Sequence, residues 1–434
     1  MDTYDALVGK LNHRDASIRL EALQFLKNKI DDGSRETPCA DVVTNNHIHT
    51  KYSFSPYSPV KAAWMGYQSG LCTVGIMDHD TVSGVGEFLA AGEILGIPAT
   101  AGFEIRTDWT DTAIGSRRIN NPDQAGSAYI AAHGIPHQMI GRADVFLRSI
   151  RAAREERNRV MAGNINAVTA IHGITIDYER DVLPLSYAQK GGTVTERHLL
   201  FALSHKIIDL LGKGGKLIDF LTEKLDIRLT DKQRQYLSDV DSELYAYDLL
   251  NVLKGSFVKR IYVGTSTEET PPVRDAVEFI KTLGAIPAYC YLGDVIASPT
   301  GDKTAQAFED EYLDELFPLL KDIGFDALAF MPSRNTLAQL TRVMGLCREH
   351  ELMQISGEDI NQPRQPFICE ELQRPVFRHL IDTTWALIGH ERAATRRIED
   401  GMFHKANDRE DLDDIINRYM NIGRNGLPES GEEL

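Results

Sequence analysis

The sequence of 434 residues has only five cysteines, and no two of them form a CxxC pair. Their odd number and wide spacing favour reduced thiols in a cytoplasm over a disulfide framework or a cysteine zinc knuckle. Long apolar runs are also absent, since no stretch approaches the ~18 residues of a membrane span. The first residues, Met1 to Asp5, lack the basic and apolar regions of a signal peptide. We therefore expect a cytoplasmic protein that does not cross a membrane.

The sequence has fewer positively charged residues than negatively charged ones. The chain has 47 lysines and arginines against 63 aspartates and glutamates, which gives a formal net charge of −16 at pH 7. A field of this sign repels polyanions, so we expect no surface for long nucleic acids. A small phosphorylated substrate remains compatible, because its site needs only a few local cations. The sequence alone gives no indication of the oligomeric state.

Short apolar runs recur along the chain, and several of them end in polar side chains. The runs lie at 42–43, 73–77, 97–101, 285–288, 327–330 and 352–355. Helix-like segments lie between them, at 60–69, 85–95, 273–283 and 312–320. Strands that alternate with helices predict a mostly parallel sheet. Polar residues that collect at the C-terminal ends of several strands are typical of a (β/α) barrel.

The segment 142–258 is different, because it is charged, rich in helical patterns and poor in strand patterns. We interpret it as a helical cap inserted over the mouth of the barrel, with helices at 151–168 and 196–211. Near the N-terminus, Asp15 is a suitable cap for a first amphipathic helix. The predicted division is a helical extension at 1–40, a barrel at 41–141 and 259–422, the inserted cap at 142–258 and a mobile tail at 423–434.

His47 and His49 stand two residues apart at the end of the first run. The period of a strand directs both imidazoles to one face, and neutral histidine is the commonest metal ligand. His79, Glu104 and Asp359 end other runs, so a barrel would bring them to the same place. Histidine and carboxylate ligands without cysteine favour zinc, manganese or iron over calcium. Such ions lower the pKa of a bound water and clamp phosphate oxygens, which points to phosphoester hydrolysis.

Four spaced motifs together resemble the PHP (polymerase and histidinol phosphatase) superfamily. They are His47-Ile48-His49-Thr50, Met77-Asp78-His79-Asp80-Thr81, Gly102-Phe103-Glu104 and Gly357-Glu358-Asp359-Ile360-Asn361. The resemblance extends from Val42 to Gln362. It implies an α/β fold of the distorted TIM-like PHP barrel type and a metal-dependent phosphoesterase activity that uses one to three divalent ions, Zn, Mn or Fe.

The same resemblance assigns metal ligands to individual residues. His47, His49, Glu104 and Asp359 match the first site, with Glu104 in the bridging role. His79 matches one ligand of a third site. For the second site the sequence leaves two alternatives, His133 and Tyr129.

Three positions depart from the family pattern. Phe54 stands where an acidic residue is expected, and Tyr289-Cys290-Tyr291 replaces a His-Pro motif. Asn361 replaces a histidine and ligates only weakly through its amide oxygen. The second and third sites are therefore altered, whereas the first is complete.

Several cationic side chains are candidates for phosphate binding. The cap motif Thr195-Glu196-Arg197-His198 resembles that of a bacterial PHP branch that hydrolyses nucleoside phosphates and short oligonucleotides. Arg197 would reach down to phosphate, and His198 would protonate the leaving group. Arg334 would present a bidentate fork. For Arg117, Arg118, Arg154 and Arg157 we favour ordinary salt bridges.

The leading hypothesis is a metal-dependent phosphoesterase that hydrolyses a small phosphomonoester or a short nucleotide by metal-hydroxide attack on phosphorus. The alternative is a catalytically reduced barrel that acts as a ligand-binding or regulatory module with one retained metal. Phe54, Tyr289 and Asn361 favour that alternative. A lyase or another metal hydrolase is a third possibility, since a fold does not fix its chemistry.

Overall fold

The computed structural model describes residues 3–33, 36, 38, 43–295, 306–407 and 411–427. The strands are β1 (Thr44–Ile48), β2 (Thr73–Ile76), β3 (Asp78–His79), β4 (Ala99–Thr100), β5 (Gly102–Asp108), β6 (Ser127–His133), β7 (Ile286–Cys290), β8 (Ala327–Phe330) and β9 (Met353–Ser356). The helices before the cap are α1 (Tyr4–Lys10), α2 (Ala16–Asp31), α3 (Pro59–Gln68) and α4 (Val85–Leu95).

Helices dominate the middle and the end of the chain. They are α5 (Ile140–Thr169), α6 (Glu196–Leu211), α7 (Gly215–Asp219), α8 (Asp231–Ser238), α9 (Tyr245–Ser256), α10 (Val258–Ile261), α11 (Val273–Thr282), α12 (Leu313–Ile323), α13 (Leu337–Glu349), α14 (His379–Arg396) and α15 (Leu412–Asn425). In the part of the chain that the structure describes, none of these helices has the length and apolar character to cross a bilayer.

The strands form a mixed, mostly parallel arrangement in two sheets of the described chain. Their orders are β1-β2-β4 and β3-β5-β6-β7-β8-β9. Strand β6 is the exception, because it runs antiparallel to both β5 and β7. The sequence analysis did not predict this strand. Its connection to β5, residues 109–126, contains no α-helix, and a return without a crossover helix gives an antiparallel neighbour.

The two sheets are continuous with each other through the chain. Only Met77 separates β2 from β3, and only Ala101 separates β4 from β5. Two strands of the first sheet therefore pass directly into strands of the second.

A separate contact brings the ends of β1 and β9 together. Ile48 pairs in parallel with Ile360, which follows β9. The backbone N–H of His49 donates to the carbonyl of Ile360 at 3.0 Å, and the N–H of Ile360 donates to the carbonyl of His47 at 3.1 Å. Because Asp359 precedes Ile360, this pairing places its carboxylate beside the two histidines.

The predicted cap has an apolar core of its own. Buried side chains of α5, α6 and α9 form this core, and Phe54 joins it from the barrel segment. Helix α5 starts at Ile140, well before the predicted 151, and it serves both regions. Its first half buries Leu147 in the main core, whereas its second half buries Met161 in the cap.

The N-terminal helices pack on the outside of the first βα units. Asp15 caps α2 as predicted, with its carboxylate accepting from the Ser17 N–H at 2.9 Å. Leu23 and Leu26 on the inner face of α2 are fully buried. Arg19 is buried beside them, where its Nε donates to the Glu87 carboxylate of α4 at 2.7 Å.

The mobile tail is predicted to start at residue 423, but this residue lies inside α15, which continues to Asn425. The prediction is therefore wrong for residues 423–425. Residues 428–434 lie outside the described part of the chain. Gly423 and Gly389 sit where α15 crosses α14. A Cβ atom on Gly423 would lie 1.9 Å from the carbonyl oxygen of Trp385, and one on Gly389 would lie 1.8 Å from that of Tyr419. The two helices can approach this closely only because both positions are glycine.

We predict that Gly423→Ala lowers the free energy of unfolding by about 1–3 kcal/mol, because the methyl group forces the helices apart. Gly345→Ala on α13 is the matched control, since a Cβ there meets nothing within 4 Å. Because alanine has a higher helix propensity than glycine, the control substitution should raise the free energy of unfolding by up to about 1 kcal/mol. Chemical denaturation measures both, and equal effects of the two substitutions would contradict the close helix crossing.

Candidate metal centre

The first two candidate ligands come from the end of β1. Strand alternation directs His47 and His49 to the same side, with ring centroids 5.1 Å apart. Glu104 on β5 points between them. Its carboxylate oxygens lie 3.5 Å from His47 Nε2 and 3.3 Å from His49 Nε2. One ligand atom from each residue lies within 4.8 Å of the others, a spacing that a single cation can span.

Asp359 approaches the same point from the loop after β9. Its Oδ1 lies 3.1 Å from His49 Nε2. Asn361 donates from Nδ2 to this oxygen at 2.6 Å, so its amide orients the carboxylate. Among the described residues the amide oxygen of Asn361 is buried without a hydrogen-bond partner, and Asn361 lines the cavity beside these ligands.

Glu104 also contacts His79, the residue that the family resemblance assigns to a third site. His79 Nδ1 lies 2.8 Å from Glu104 Oε1, and its ring centroid is 4.7 Å from that of His49. Both alternatives for the second site, His133 and Tyr129, line the same cavity. His133 is only 2% exposed, and its buried Nε2 has no hydrogen-bond partner in the described part of the chain.

The protonation behaviour of the centre follows from burial and mutual contact. Burial raises the pKa of Glu104, but His79 and His47 hold it well below its usual range. Burial and the neighbouring His47 lower the pKa of His133 to about 3. Burial also lowers the pKa of His79, against the attraction of Glu104. At neutral pH these two imidazoles are therefore neutral, which is the form that ligates a metal.

The centre lies at a cavity of about 960 Å³, counting the part that is open to solvent. Arg197 and Lys254 reach the cavity from the cap, and Leu292, Phe330 and Met331 provide an apolar wall. Sequence analysis missed Lys254. It sits on a helix with no motif around it, and only the folding of α9 over the barrel gives it a place at the cavity.

Two predicted catalytic residues lie elsewhere among the described residues, since neither His198 nor Arg334 lines the cavity. His198 caps the start of α6, where its Nδ1 accepts from the Thr195 N–H at 3.0 Å. Its ring packs edge-on against Phe54 at 4.9 Å. Burial and the nearby Arg154 lower its pKa to about 3, so it is a poor proton donor at neutral pH.

Arg334 makes local structural contacts. So do Tyr289 and Phe54, two of the residues that depart from the family pattern. Arg334 donates from Nε to the carbonyl of Leu292 at 3.0 Å. Tyr289 is fully buried, and its hydroxyl donates to Glu309 at 3.2 Å. Its neighbour Cys290 lines the cavity instead. Phe54 fills the apolar core of the cap.

The salt-bridge interpretation is confirmed for Arg154 and Arg157 on α5. Arg154 lies 2.5 Å from Asp80 and 2.7 Å from Glu196, and Arg157 lies 2.5 Å from Glu196. Glu269 completes the network, at 2.6 Å from Arg157. These ion pairs join the cap to the residues after β3. In a surface cleft that Arg118 also lines, Arg117 pairs with Glu315 at 2.9 Å.

Comparison with known proteins supports the fold. No family model matches the chain. A 5'-3' exoribonuclease of Haemophilus influenzae is 32% identical over 68 residues, which are 16% of this chain and 25% of that protein. The match thus spans a quarter of the length of this curated relative.

Two solved structures are similar over most of the chain. An amidohydrolase from Chromobacterium violaceum, solved with bound sulfate and no metal, has a TM-score of 0.52 at 17% identity, over 78% of this chain and 95% of that one. A protein assigned as a metal-dependent phosphoesterase, from Bifidobacterium adolescentis, has a TM-score of 0.49 at 19% identity, over 77% and 95%. The likeness to the amidohydrolase supports the overall α/β fold, and at this identity it concerns the fold alone.

The ion-pair network yields a stability prediction. Burial by itself raises the pKa of Glu196, but the guanidinium groups of Arg154, Arg106 and Arg157 hold it well below its usual range. Glu196→Gln leaves these buried cations without their carboxylate, which should cost about 3–5 kcal/mol of unfolding free energy at pH 7. The exposed Glu315→Gln, which loses only a surface pair, should cost less than about 1 kcal/mol.

The pH dependence of this penalty has a definite sign. A carboxyl whose pKa falls on folding contributes stability above its unfolded pKa and loses it in acid. The difference between wild type and Glu196→Gln should therefore shrink as the pH falls below the ordinary value of 4.5. Urea titrations across this range measure it, and a penalty that grows in acid would contradict the network.

Proposed function

We propose that the protein is a metal-dependent phosphoesterase that hydrolyses a small phosphomonoester or a short nucleotide. One observation carries the proposal: His47, His49, Glu104 and Asp359 converge beside a cavity that arginine and lysine side chains also line. A mixed set of imidazole and carboxylate donors is typical of catalytic zinc, manganese and iron sites.

The hydrogen bonding of these residues fits a bound cation. His49 Nε2 and His79 Nδ1 are buried, and each faces a carboxylate oxygen, at 3.1 and 2.8 Å respectively. Buried polar atoms nearly always have a partner. The unprotonated nitrogen of a neutral imidazole and a carboxylate oxygen are both electron-pair donors, so they cannot hydrogen-bond to each other. A divalent ion between them would bind both.

The altered positions limit how many ions the centre would hold. His47, His49, Glu104 and Asp359 would bind the first ion. His79 and His133 would contribute to further ions, with Asn361 as a weak third donor. We therefore propose one to three divalent ions, Zn, Mn or Fe, of which the first is bound most tightly.

When bound, such an ion supplies an activated water and neutralises charge on phosphoryl oxygens. The chain's own residues then position the substrate. Arg197 and Lys254 would attract the phosphoryl oxygens and stabilise their developing charge. The apolar wall near Phe330 would accept the organic part of the ester. His198 is removed from the mechanism, because it caps a helix and lies outside the cavity lining.

The substrate class rests on charge. Arg197 and Lys254 line the cavity, whereas the net charge of −16 disfavours long nucleic acids. The local similarity to an exoribonuclease supports a nucleotide or a short oligonucleotide. A cytoplasmic location remains our prediction.

We also propose that the two sheets close into one distorted barrel. At one side, the first sheet passes into the second through Met77 and Ala101. At the other side, the pairing of Ile48 with Ile360 joins β1 to the segment after β9. The separate apolar core of the cap supports the proposed division into a barrel and an inserted cap.

The test is hydrolysis of a panel of phosphomonoesters and short oligonucleotides by protein reconstituted with Zn, Mn or Fe. We predict activity in the wild type and a loss on the order of 100-fold or more in Glu104→Gln. Glu315→Gln, which changes a carboxylate on the surface of α12, is the matched control and should retain full activity. A wild type that binds metal and hydrolyses nothing in the panel would contradict this proposal and favour the alternative of a ligand-binding module.

A further inference from the structure

The carboxylate of Asp78 is buried directly behind the metal centre. It is 1% exposed and accepts three hydrogen bonds from the turn that follows β1. The Thr50 N–H donates to it at 2.7 Å, and the hydroxyls of Thr50 and Ser53 each donate at 2.6 Å. One acidic side chain therefore fixes the conformation of the turn that carries His49.

Ser53 connects this carboxylate to a candidate ligand. Its oxygen lies 3.2 Å from His49 Nδ1. A serine hydroxyl has one proton and two acceptor lone pairs, and the short contact to Asp78 uses the proton. The hydrogen bond to His49 must then be donated by Nδ1–H, with Ser53 as the acceptor.

The direction of this hydrogen bond determines the tautomer of His49. A neutral imidazole carries one proton, so a proton on Nδ1 leaves the lone pair on Nε2. Nε2 is the atom that faces Glu104 and Asp359. The chain Asp78, Ser53, His49 thus presents the correct nitrogen to a cation and attracts the positive charge that the imidazole gains on binding.

We propose that Asp78 and Ser53 are positioning residues of the metal centre, which act through His49 by holding it in the Nδ1–H tautomer. The inference rests on the proposed function, since it concerns the same site. Asp78 also precedes His79 in the chain, so the same side chain couples the placement of two ligands from different strands.

The tautomer can be measured without any metal. In protein labelled with nitrogen-15 at histidine, two-bond nitrogen–proton correlations distinguish the two neutral tautomers. Spectra are recorded on the alkaline side of the His49 titration, and the signal is assigned by its loss in His49→Gln. We expect the Nδ1–H form in the wild type. A ring protonated at Nε2 would overturn the proposal, whether or not the protein binds metal.

Metal affinity provides the second measurement. Ser53→Ala removes the acceptor of His49 Nδ1–H and should weaken binding of zinc or manganese by about 10–100-fold, with Ser53→Thr restoring most of it. Asp78→Asn should weaken binding in the same range. The control is Ser55→Ala, because Ser55 is buried in the same turn but its hydroxyl accepts only from the Tyr57 N–H, at 3.4 Å. Thermal unfolding verifies that each variant is folded.

The outcomes separate this inference from the proposed function. Titration calorimetry that gives Ser53→Ala the same affinity as Ser55→Ala would overturn the positioning role. A wild type without affinity for any divalent metal would overturn the proposed function instead. In that case the tautomer of His49 still decides whether Asp78 and Ser53 orient the ring.

Discussion

Glu104 is a buried negative charge surrounded by three imidazoles, and the arrangement of the candidate site depends on this contact. His47, His49 and His79 all approach its carboxylate within 3.5 Å. A carboxylate in such a place must be compensated by positive charge, because an isolated buried ion costs far more than folding can supply. The imidazole of His79, whose pKa is lowered by burial, compensates it only in part, whereas a divalent cation would compensate it fully. The strand ends therefore converge on the carboxylate of Glu104, where positive charge is needed.

The cap contributes positive charge in two distinct ways. Arg154 and Arg157 are committed to buried ion pairs with Asp80, Glu196 and Glu269, and these pairs hold the cap against the barrel. Arg197 and Lys254 line the cavity instead. An acidic chain can in this way place two cationic side chains beside a small anion while its overall field repels large ones.

Local sequence patterns predicted which candidate ligands lie together, because these patterns depend on backbone geometry within single strands. The two-residue spacing of His47 and His49 fixes their common direction in any strand. Residues whose role depends on distant contacts were not predictable. His198 belongs to a motif, yet its ring turns to cap its own helix. Lys254 belongs to no motif, yet helix packing brings it to the cavity.

The fold shows the same division. Alternating runs predicted most of the parallel strands and their helices, but not β6, in which a serine and three alanines interrupt the apolar pattern. Gly423 was placed at the start of a mobile tail because the chain after it ends in the polar sequence Pro-Glu-Ser-Gly-Glu-Glu-Leu. It is instead required by the close crossing of α15 over α14, a contact that only the three-dimensional packing reveals.

Anomalous X-ray diffraction from crystals grown with zinc or manganese is the most direct test of the account. We predict a peak at a coordination distance of about 2.0–2.2 Å from the ligand nitrogens of His47 and His49 and from carboxylate oxygens of Glu104 and Asp359. The absence of a peak at these four residues, in crystals soaked to saturation, would contradict it.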